Sequence, residues 1–183
     1  LFTPERVIEY QEALGADIIM PLDVCTTYDA TRQEVNCAME RTHRWATLCK
    51  ESHRRGDQAL FGIVQGGLHE DMREMSSEYL CSLNFPGYAI GGLGVGEPKE
   101  ELYRFTNYVA RLLPHEKPRY LMGVGSPEDL VECVGRGMDI FDCALPTRVA
   151  RNGALFTHRG RVNVDSAPFR KQSRPIDENC DCS

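Results

Sequence analysis

Apolar residues along this 183-residue chain follow two alternating spacings. Short continuous apolar runs, typical of buried strands, are separated by longer segments in which apolar residues recur every three or four positions, the spacing of one helix face. Thr3-Pro4 predicts a helix start and Gly15 predicts its end. The apolar runs predict five strands, at 16–22, 59–64, 88–90, 119–122 and 138–141.

Helical patterns occupy the segments between these strands, and two of them have a clear apolar face. In the first of the two we place Trp45 in the core. The predicted helices cover 3–14, 32–55, a segment around 72–83, 98–113 and 126–135. The two predicted faces are Val35, Ala38, Met39, Thr42, Trp45, Ala46 and Cys49, and Met72, Met75, Tyr79, Leu80 and Leu83.

Five alternations of helix and strand with short connections predict a parallel sheet with helices outside it. A β/α barrel and a doubly wound sheet both satisfy this pattern. Polar or glycine residues follow the carboxyl ends of all five strands, which favours a barrel, where the loops at that end converge. A complete barrel has eight strands and about 250 residues, so five strands do not close one. Beyond them, 154–164 predicts a hairpin that turns near Arg159-Gly160.

Composition indicates a globular protein, with 42% hydrophobic and 26% charged residues. No apolar run approaches the roughly 18 residues that a membrane helix needs, so we expect no membrane association. The net charge is −6, yet 148–174 contains seven basic residues and one acidic residue, which leaves −12 for the remainder. This basic segment suits a phosphate backbone, or is an ordinary solvated loop.

Most of the eight cysteines lie in strand or helix patterns, where cysteine serves as a small buried hydrophobe. With no signal peptide pattern, this usage predicts a reducing cytoplasm. Cys180 and Cys182 differ, because their spacing suits two thiolates on one zinc, although a structural zinc site needs four ligands. We interpret His158 as a surface histidine of the hairpin. The cysteines in regular patterns are Cys37, Cys49, Cys81, Cys133 and Cys143.

Two carboxylates stand at predicted strand ends, Asp23 after the first strand and Asp142 after the fifth. A carboxylate beside a buried strand is costly unless it is paired, hydrogen-bonded or used. A pair of carboxylates suits glycosyl chemistry, in which an anion stabilises an oxocarbenium-like transition state. A strand-end aspartate serves equally well as a helix cap or loop bracket, so residue type alone leaves both interpretations open.

Two further strand ends present groups suited to a flat heterocycle. Gln65 precedes two glycines, and its amide can donate to a carbonyl and accept from an N–H at a purine edge, or be a turn residue. The glycine-rich stretch 91–96 lets backbone groups approach a flat ligand closely. It lacks the placement of a dinucleotide-binding fingerprint, since no ribose carboxylate follows at the required position.

Six ordered motifs together resemble the catalytic subunit of the tRNA-guanine transglycosylase family, of bacterial type, also called queuine tRNA-ribosyltransferase. The resemblance implies a TIM (β/α)8 barrel with a zinc-binding insertion. This chain, 1–183, would then supply about five β/α units of the catalytic barrel, and 174–183 the start of the insertion. The matching motifs lie at 22–26, 62–67, 90–97, 120–125, 141–148 and 151–153.

The resemblance implies exchange of the guanine at the tRNA wobble position for a 7-deazaguanine base. It makes Asp142 the nucleophile that attacks the ribose anomeric carbon and forms a covalent intermediate. The implied base-binding residues are Asp23, Gln65, Gly92 through its amide, Leu93 through its carbonyl, Val95, Met122 and Gly123. Arg148 and Arg151 would contact RNA phosphates, and Cys180 and Cys182 would be the first two Zn²⁺ ligands.

The resemblance also implies features beyond this sequence. We expect a fragment, inactive alone, because the family's Ser-Asp-Ser-Gly-Gly-Phe-Gln segment with the second catalytic aspartate would lie upstream, and two zinc ligands downstream. The intact protein would be a homodimer. Val24 stands where bacterial members carry an acid, and Val95 would favour preQ1 over the bulkier queuine. Competing hypotheses are a non-catalytic paralogue that binds tRNA or a sister subunit, and a retaining carbohydrate-active barrel hydrolase.

Overall fold

The computed structural model describes residues 2–167, 169 and 173–178. Within them the chain forms six helices and eight short strands, and it divides into two compact units between Asp142 and Cys143. The elements are α1 Pro4–Leu14, β1 Ile18–Ile19, α2 Arg32–Ser52, β2 Ala59–Leu60, β3 Gly62–Val64, α3 Glu70–Ser82, β4 Tyr88–Ile90, α4 Lys99–Leu112, β5 Arg119–Leu121, α5 Pro127–Val134, β6 Ile140–Phe141, α6 Leu145–Arg151, β7 Ala154–Thr157 and β8 Gly160–Asn163.

The helix boundaries follow from local capping chemistry. Thr3 caps α1 with its side chain, and Gly15 ends that helix in the left-handed conformation at φ 73°. Thr31 begins α2 in a reciprocal capping box: its hydroxyl accepts from the Glu34 N–H, and Glu34 accepts from the Thr31 N–H. The structure confirms the predicted starts of both helices. These starts could be predicted because capping depends only on neighbouring residues.

The first unit contains parallel strands in sequential order. The predicted strand 59–64 divides at Phe61: its first half pairs with β1, and its second half pairs with β4. The Phe61 N–H donates to Ile19 O at 3.1 Å, and the next amide, of Gly62, donates to Gly87 O at 3.0 Å. Beyond β4 the order continues through β5 to β6. A parallel α/β fold is therefore confirmed, with the sequential strand order of a β/α barrel. The order reversal that marks a doubly wound sheet is not found among these strands.

The central strands are buried on both faces, as expected for strands covered by helices. All residues of β3 and β4 are buried. The last strand differs from our expectation of a buried strand, because Ile140 and Phe141 are only half-buried. The physical reason is position: among the described strands, β6 pairs with β5 alone and lies at the edge of the sheet.

The α2 face is confirmed except at one residue. Six of the seven predicted positions are buried, whereas Trp45 is half-buried and lies outside the core. The Arg41 guanidinium lies 6.0 Å from its ring centroid. Trp45 stands at the margin of the buried stripe, where a large ring reaches solvent. Cys37 is exposed rather than buried, because it faces away from that stripe, and Cys81 and Cys143 are half-buried.

The predicted buried face of α3 is wrong at two of its five positions. Met75 and Tyr79 are exposed, by 45% and 37%. Between the buried Met72 and Leu80, the positions that face the sheet are instead Arg73, Ser76 and Ser77. This helix turns a polar stripe inward, and Arg73 and Ser76 in that stripe make hydrogen bonds at the strand ends.

The second unit consists of α6 and an antiparallel hairpin of β7 and β8. The predicted hairpin is confirmed, but its turn falls at His158-Arg159, one residue before the predicted Arg159-Gly160, and His158 is exposed. Its Nδ1 lies 3.0 Å from Asp177 Oδ2. Across the described part of the chain, no helix is long and apolar enough to cross a membrane.

Candidate functional site at the strand ends

Asp23 and Gln65, which follow β1 and β3, form a hydrogen-bonded pair. Gln65 Nε2 donates to Asp23 Oδ2 at 2.7 Å, and the Gln65 side chain is almost fully buried. Burial raises the pKa of Asp23, and the hydrogen bond from Gln65 opposes that rise. Two residues 42 positions apart in the sequence thus present one carboxylate and one amide at the same edge of the sheet.

The glycines after β4 lie directly against this pair. The Gly91 N–H donates to Val64 O at 3.0 Å, which continues the sheet ladder. A Cβ placed on Gly91 would lie 2.5 Å from Gln65 Nε2, and one on Gly92 would lie 2.5 Å from Gln65 Oε1. Gly92 also has a φ of 66°, which disfavours residues with a side chain. Only glycine therefore allows this close approach of backbone to amide, and Gly92 lies against Gln65 of the Asp23–Gln65 pair.

Beneath these residues lies Arg73, which the sequence analysis did not identify. Its side chain is buried and donates to four backbone oxygens, one at the end of β3 and three on the segments after β3 and β4. Burial lowers the pKa of Arg73 to about 10, so the guanidinium remains charged at neutral pH. The acceptors are Val64 O at 2.9 Å, Gly67 O at 2.9 Å, Gly91 O at 2.7 Å and Gly92 O at 3.3 Å.

A second polar group fixes the Gln65 backbone. The Gln65 N–H donates to Ser76 Oγ at 3.2 Å, and Ser76 Oγ shares a hydrogen bond of 2.9 Å with His43 Nε2. The His43 ring stacks on Tyr79 with centroids 4.5 Å apart. Burial lowers the pKa of His43 to about 4, so the ring is neutral at neutral pH. Helices α2 and α3 together hold the strand end that carries Gln65.

Asp142, directly after β6, is held by two donors. The Tyr120 phenol donates to Asp142 Oδ1 at 2.5 Å, and the Gly123 N–H donates to the same oxygen at 2.8 Å. The pKa of Tyr120 is raised by burial and by this hydrogen bond, so the phenol remains a proton donor. Gly123 was predicted among the base-binding residues and not against Asp142, and Tyr120 was not identified as a site residue. The available signal in the sequence was a tyrosine within a predicted strand, shortly before the glycine turn that follows it.

The loop after β4 is fixed by Glu97, whose carboxylate accepts from the Gly94 N–H at 2.5 Å and from the Val95 N–H at 2.9 Å. Leu93 is buried, and the Val95 side chain is 36% exposed. A Cβ on Gly94 would lie 3.1 Å from a methyl group of Val124, so this loop lies beside the loop after β5.

Met122 and Val24 flank these loops. Met122 is half-buried, and its N–H donates to Ile90 O at 3.2 Å. The Val24 N–H donates to Thr42 Oγ1 at 2.9 Å, which anchors the segment after Asp23 to α2.

Other predicted residues lie elsewhere in the chain. Arg148 and Arg151 are exposed on α6, in the second unit. Cys180 and Cys182 lie outside the described residues. Within the residues that the structure describes, no group of three or more His, Cys, Asp or Glu side chains could hold a metal ion.

The fold and the site define a parallel α/β protein whose carboxylates, amide and glycines gather at the carboxyl ends of its strands, where such folds bind ligands. The profile of the family described as "Queuine tRNA-ribosyltransferase" matches residues 1–183. The chain therefore belongs to the queuine tRNA-ribosyltransferase family.

Curated relatives agree with this assignment. A protein of Desulforamulus reducens named "Queuine tRNA-ribosyltransferase" is 54% identical over 99% of this chain and 49% of its own length. One of the same name from Caldanaerobacter subterraneus is 56% identical over 99% of the chain and 48% of its own. One of the same name from Staphylococcus aureus is 54% identical over 98% of the chain and 48% of its own length. The chain spans about half the length of the curated relatives it matches.

Proposed function

We propose that the full-length protein exchanges the wobble guanine of a tRNA anticodon for a 7-deazaguanine base through a covalent aspartyl-ribose intermediate. The observation that carries this proposal is the fixed carboxylate of Asp142. Two donors hold its Oδ1, so its orientation is set before any substrate arrives. Pre-orientation of a nucleophile is a large part of what an active site contributes to rate.

The reaction would proceed as two displacements at the anomeric carbon. Because Tyr120 and Gly123 both donate to Oδ1, we assign the attack to Asp142 Oδ2. Its electron pair forms the ester bond to the ribose carbon, and guanine departs with the electrons of the glycosidic bond. Guanine takes up a proton as it leaves, and the incoming base gives up the proton of its attacking ring nitrogen. The new glycosidic bond then releases the Asp142 carboxylate unchanged, with no net change in protons. A second catalytic aspartate, on a segment upstream of this chain, remains an expectation.

We propose that the Asp23, Gln65 and Gly92 cluster recognises the base. A carboxylate accepts from the N–H groups of a guanine-like edge, the Gln65 amide both donates and accepts, and the Gly92 N–H donates to the exocyclic oxygen. The Leu93 carbonyl would accept from a substituent. Met122 and Gly123 would cover a face of the base.

Val95 would limit the size of the base. Its side chain stands on the Glu97-anchored loop and would narrow the space for a bulky substituent, so we propose preQ1 as the preferred base over queuine. The exposed Arg148 and Arg151 would bind RNA phosphates.

The same proposal extends to the whole protein. The five sequential parallel strands would form part of a (β/α)8 barrel. Cys180 and Cys182 would supply two thiolates to a structural Zn²⁺, and the protein would be a cytoplasmic homodimer. Elemental analysis of the full-length protein should find one zinc per chain. A metal-free protein with full activity would contradict the zinc assignment.

Incubation of the full-length protein with tRNA and radiolabelled guanine tests the function. We expect label to enter the tRNA and unlabelled base to leave it in equal amounts. Binding of tRNA without exchange would favour a non-catalytic paralogue. Failure to bind tRNA, together with hydrolysis of a glycoside, would favour a carbohydrate-active barrel enzyme.

A further inference from the structure

Arg73 is a buried cation that touches both segments of the base-recognition cluster. Its guanidinium uses four hydrogen bonds to hold one carbonyl at the end of β3, one after β3 and two after β4. No carboxylate accepts a hydrogen bond from it among the described residues. A buried guanidinium loses the hydration of its charge, and here backbone dipoles and the charge of the Glu97 carboxylate replace the water. A hydrophobic residue here would leave all four carbonyls without this donor, so Arg73 satisfies the backbone of both segments at once.

The hydrogen bonds to the two carbonyls after β4 fix the orientation of two peptide groups, Gly91–Gly92 and Gly92–Leu93. The described chain has no cis peptide bond, and in a planar trans peptide the C=O and the following N–H point in opposite directions. Gly91 O accepts from Arg73 Nη1 at 2.7 Å, so the Gly92 N–H points away from the guanidinium. Gly92 O accepts from Nη2 at 3.3 Å, so the Leu93 N–H also points away.

The side to which the Gly92 N–H points carries the candidate base site. Burial, the largest effect, raises the pKa of the Cys25 thiol, and the nearby backbone N–H of Gly92 lowers it. The Gly92 N–H therefore faces the segment that carries both Cys25 and Asp23. Successive N–H groups around a glycine in the left-handed conformation form a concave site for an electron-rich oxygen. A cation on the carbonyl side also polarises the peptide and strengthens its N–H as a donor.

We propose that Arg73 is a positioning residue that orients and polarises the peptide groups of Gly91–Gly92 and Gly92–Leu93, so that their N–H groups bind the exocyclic oxygen of the base. This inference rests on the proposed base exchange and adds to it a residue that does not touch the substrate. It predicts that Arg73 acts on one atom of the base, the oxygen, and not on the base as a whole.

The test compares two bases in the full-length protein. Guanine carries the exocyclic oxygen, and 2-aminopurine is the same ring system without that oxygen and without the proton on N1, which Arg73 does not contact. Inhibition constants of both are measured against incorporation of labelled preQ1 into tRNA, in wild type and in Arg73→Lys. Lysine keeps the charge and loses the planar fork that reaches four carbonyls. We expect the preference for guanine over 2-aminopurine to fall by about tenfold, the size of one well-made hydrogen bond. The KM for tRNA should stay within about twofold.

Arg119→Lys is the matched control. Arg119 is also buried and donates to two backbone oxygens, Ala110 O at 3.1 Å and His115 O at 3.2 Å. It begins β5, at the end of the sheet opposite to the site, so its substitution should lower the melting temperature without changing the preference between the two bases. Should Arg73→Lys fail to fold, Arg73→Gln removes the buried charge and makes the same prediction.

The outcomes separate the two proposals. Loss of affinity for both bases by an equal factor would make Arg73 a purely structural residue and overturn this inference. An unchanged preference in an active variant would also overturn it and leave the base exchange intact. A wild-type protein that exchanges no base would overturn the proposed function, and the role of Arg73 with it.

Discussion

Tyr120 and Asp142 stand 22 residues apart in the sequence, and the phenol of one donates to the carboxylate of the other at 2.5 Å. The contact exists because β5 and β6 are neighbouring parallel strands, with Leu121 opposite Phe141 in the register. The carboxylate is thus oriented by the strand beside its own.

Tyr120→Phe should slow formation of the covalent intermediate. Phenylalanine keeps the ring but removes the donor to Asp142 Oδ1, so the carboxylate loses one of the two bonds that orient it. We expect the single-turnover rate of adduct formation in the full-length protein to fall about tenfold, with tRNA affinity unchanged. Tyr103→Phe is the control, because its hydroxyl makes a similar bond of 2.6 Å to Asp129 away from the site. Equal rates in both variants would exclude the orienting role.

Asp142→Asn should bind tRNA and form no covalent adduct. Asparagine has nearly the same shape but is a poor nucleophile, so exchange should fall by at least about 1,000-fold. A denaturing gel of protein, tRNA and a base analogue reports the adduct, and a filter-binding assay reports the tRNA affinity. Asp139→Asn, three residues upstream, is the control and should form the adduct normally. A normal adduct band from Asp142→Asn would mean that another residue is the nucleophile.

Gly92→Ala should damage base binding more than stability explains. Both Gly92 and Gly15 have positive φ, so alanine at either should cost about 1 kcal/mol of unfolding free energy. Only at Gly92 would the new Cβ meet the Gln65 amide, at 2.5 Å. We expect a raised KM for the base in Gly92→Ala and an unchanged KM in Gly15→Ala. Similar KM values in both variants would remove Gln65 and Gly92 from the base site.

Val95→Gly should broaden the choice of base. Removing the side chain would open space for the cyclopentenediol group of queuine, so the ratio of kcat/KM for queuine to that for preQ1 should rise. Val95→Ala should give an intermediate ratio, which separates the effect of size from that of glycine flexibility. Wild-type protein that uses queuine and preQ1 with comparable kcat/KM would contradict the assignment.

His43 should make the protein less stable in mild acid. Its pKa of about 4 in the folded state lies below the ordinary value of about 6.5, so the unfolded chain binds more protons between these values. The stability that neutral His43 contributes is complete above about pH 6.5 and is lost as the pH falls toward 4. His43→Gln stays uncharged, so its melting temperature should fall less steeply over this range in the full-length protein. His115→Gln, at an exposed position, should follow the wild-type slope.

The positions of the site residues along the chain were predictable from the sequence. Asp23, Gln65 and Asp142 each follow an apolar run, and the strands confirm that each stands at a carboxyl end. Strand and helix periodicity, caps and turns are local properties, so a single sequence contains them. The direction of the sheet followed as well, because short connections through helices require parallel strands.

Which residues contact one another was decided only by the tertiary structure. The α3 pattern favoured Met75 and Tyr79 as buried residues, yet the helix buries Arg73 and Ser76, because the strand ends beneath it offer carbonyls and an amide that need partners. Hydrophobicity cannot predict such an inversion, since the partners of Arg73 lie up to 19 residues away. The sequence by itself determined where the chemistry-bearing groups stand along the chain. The packing of strands and helices decided which carboxylate meets which donor, because those contacts depend on the distances between separate segments.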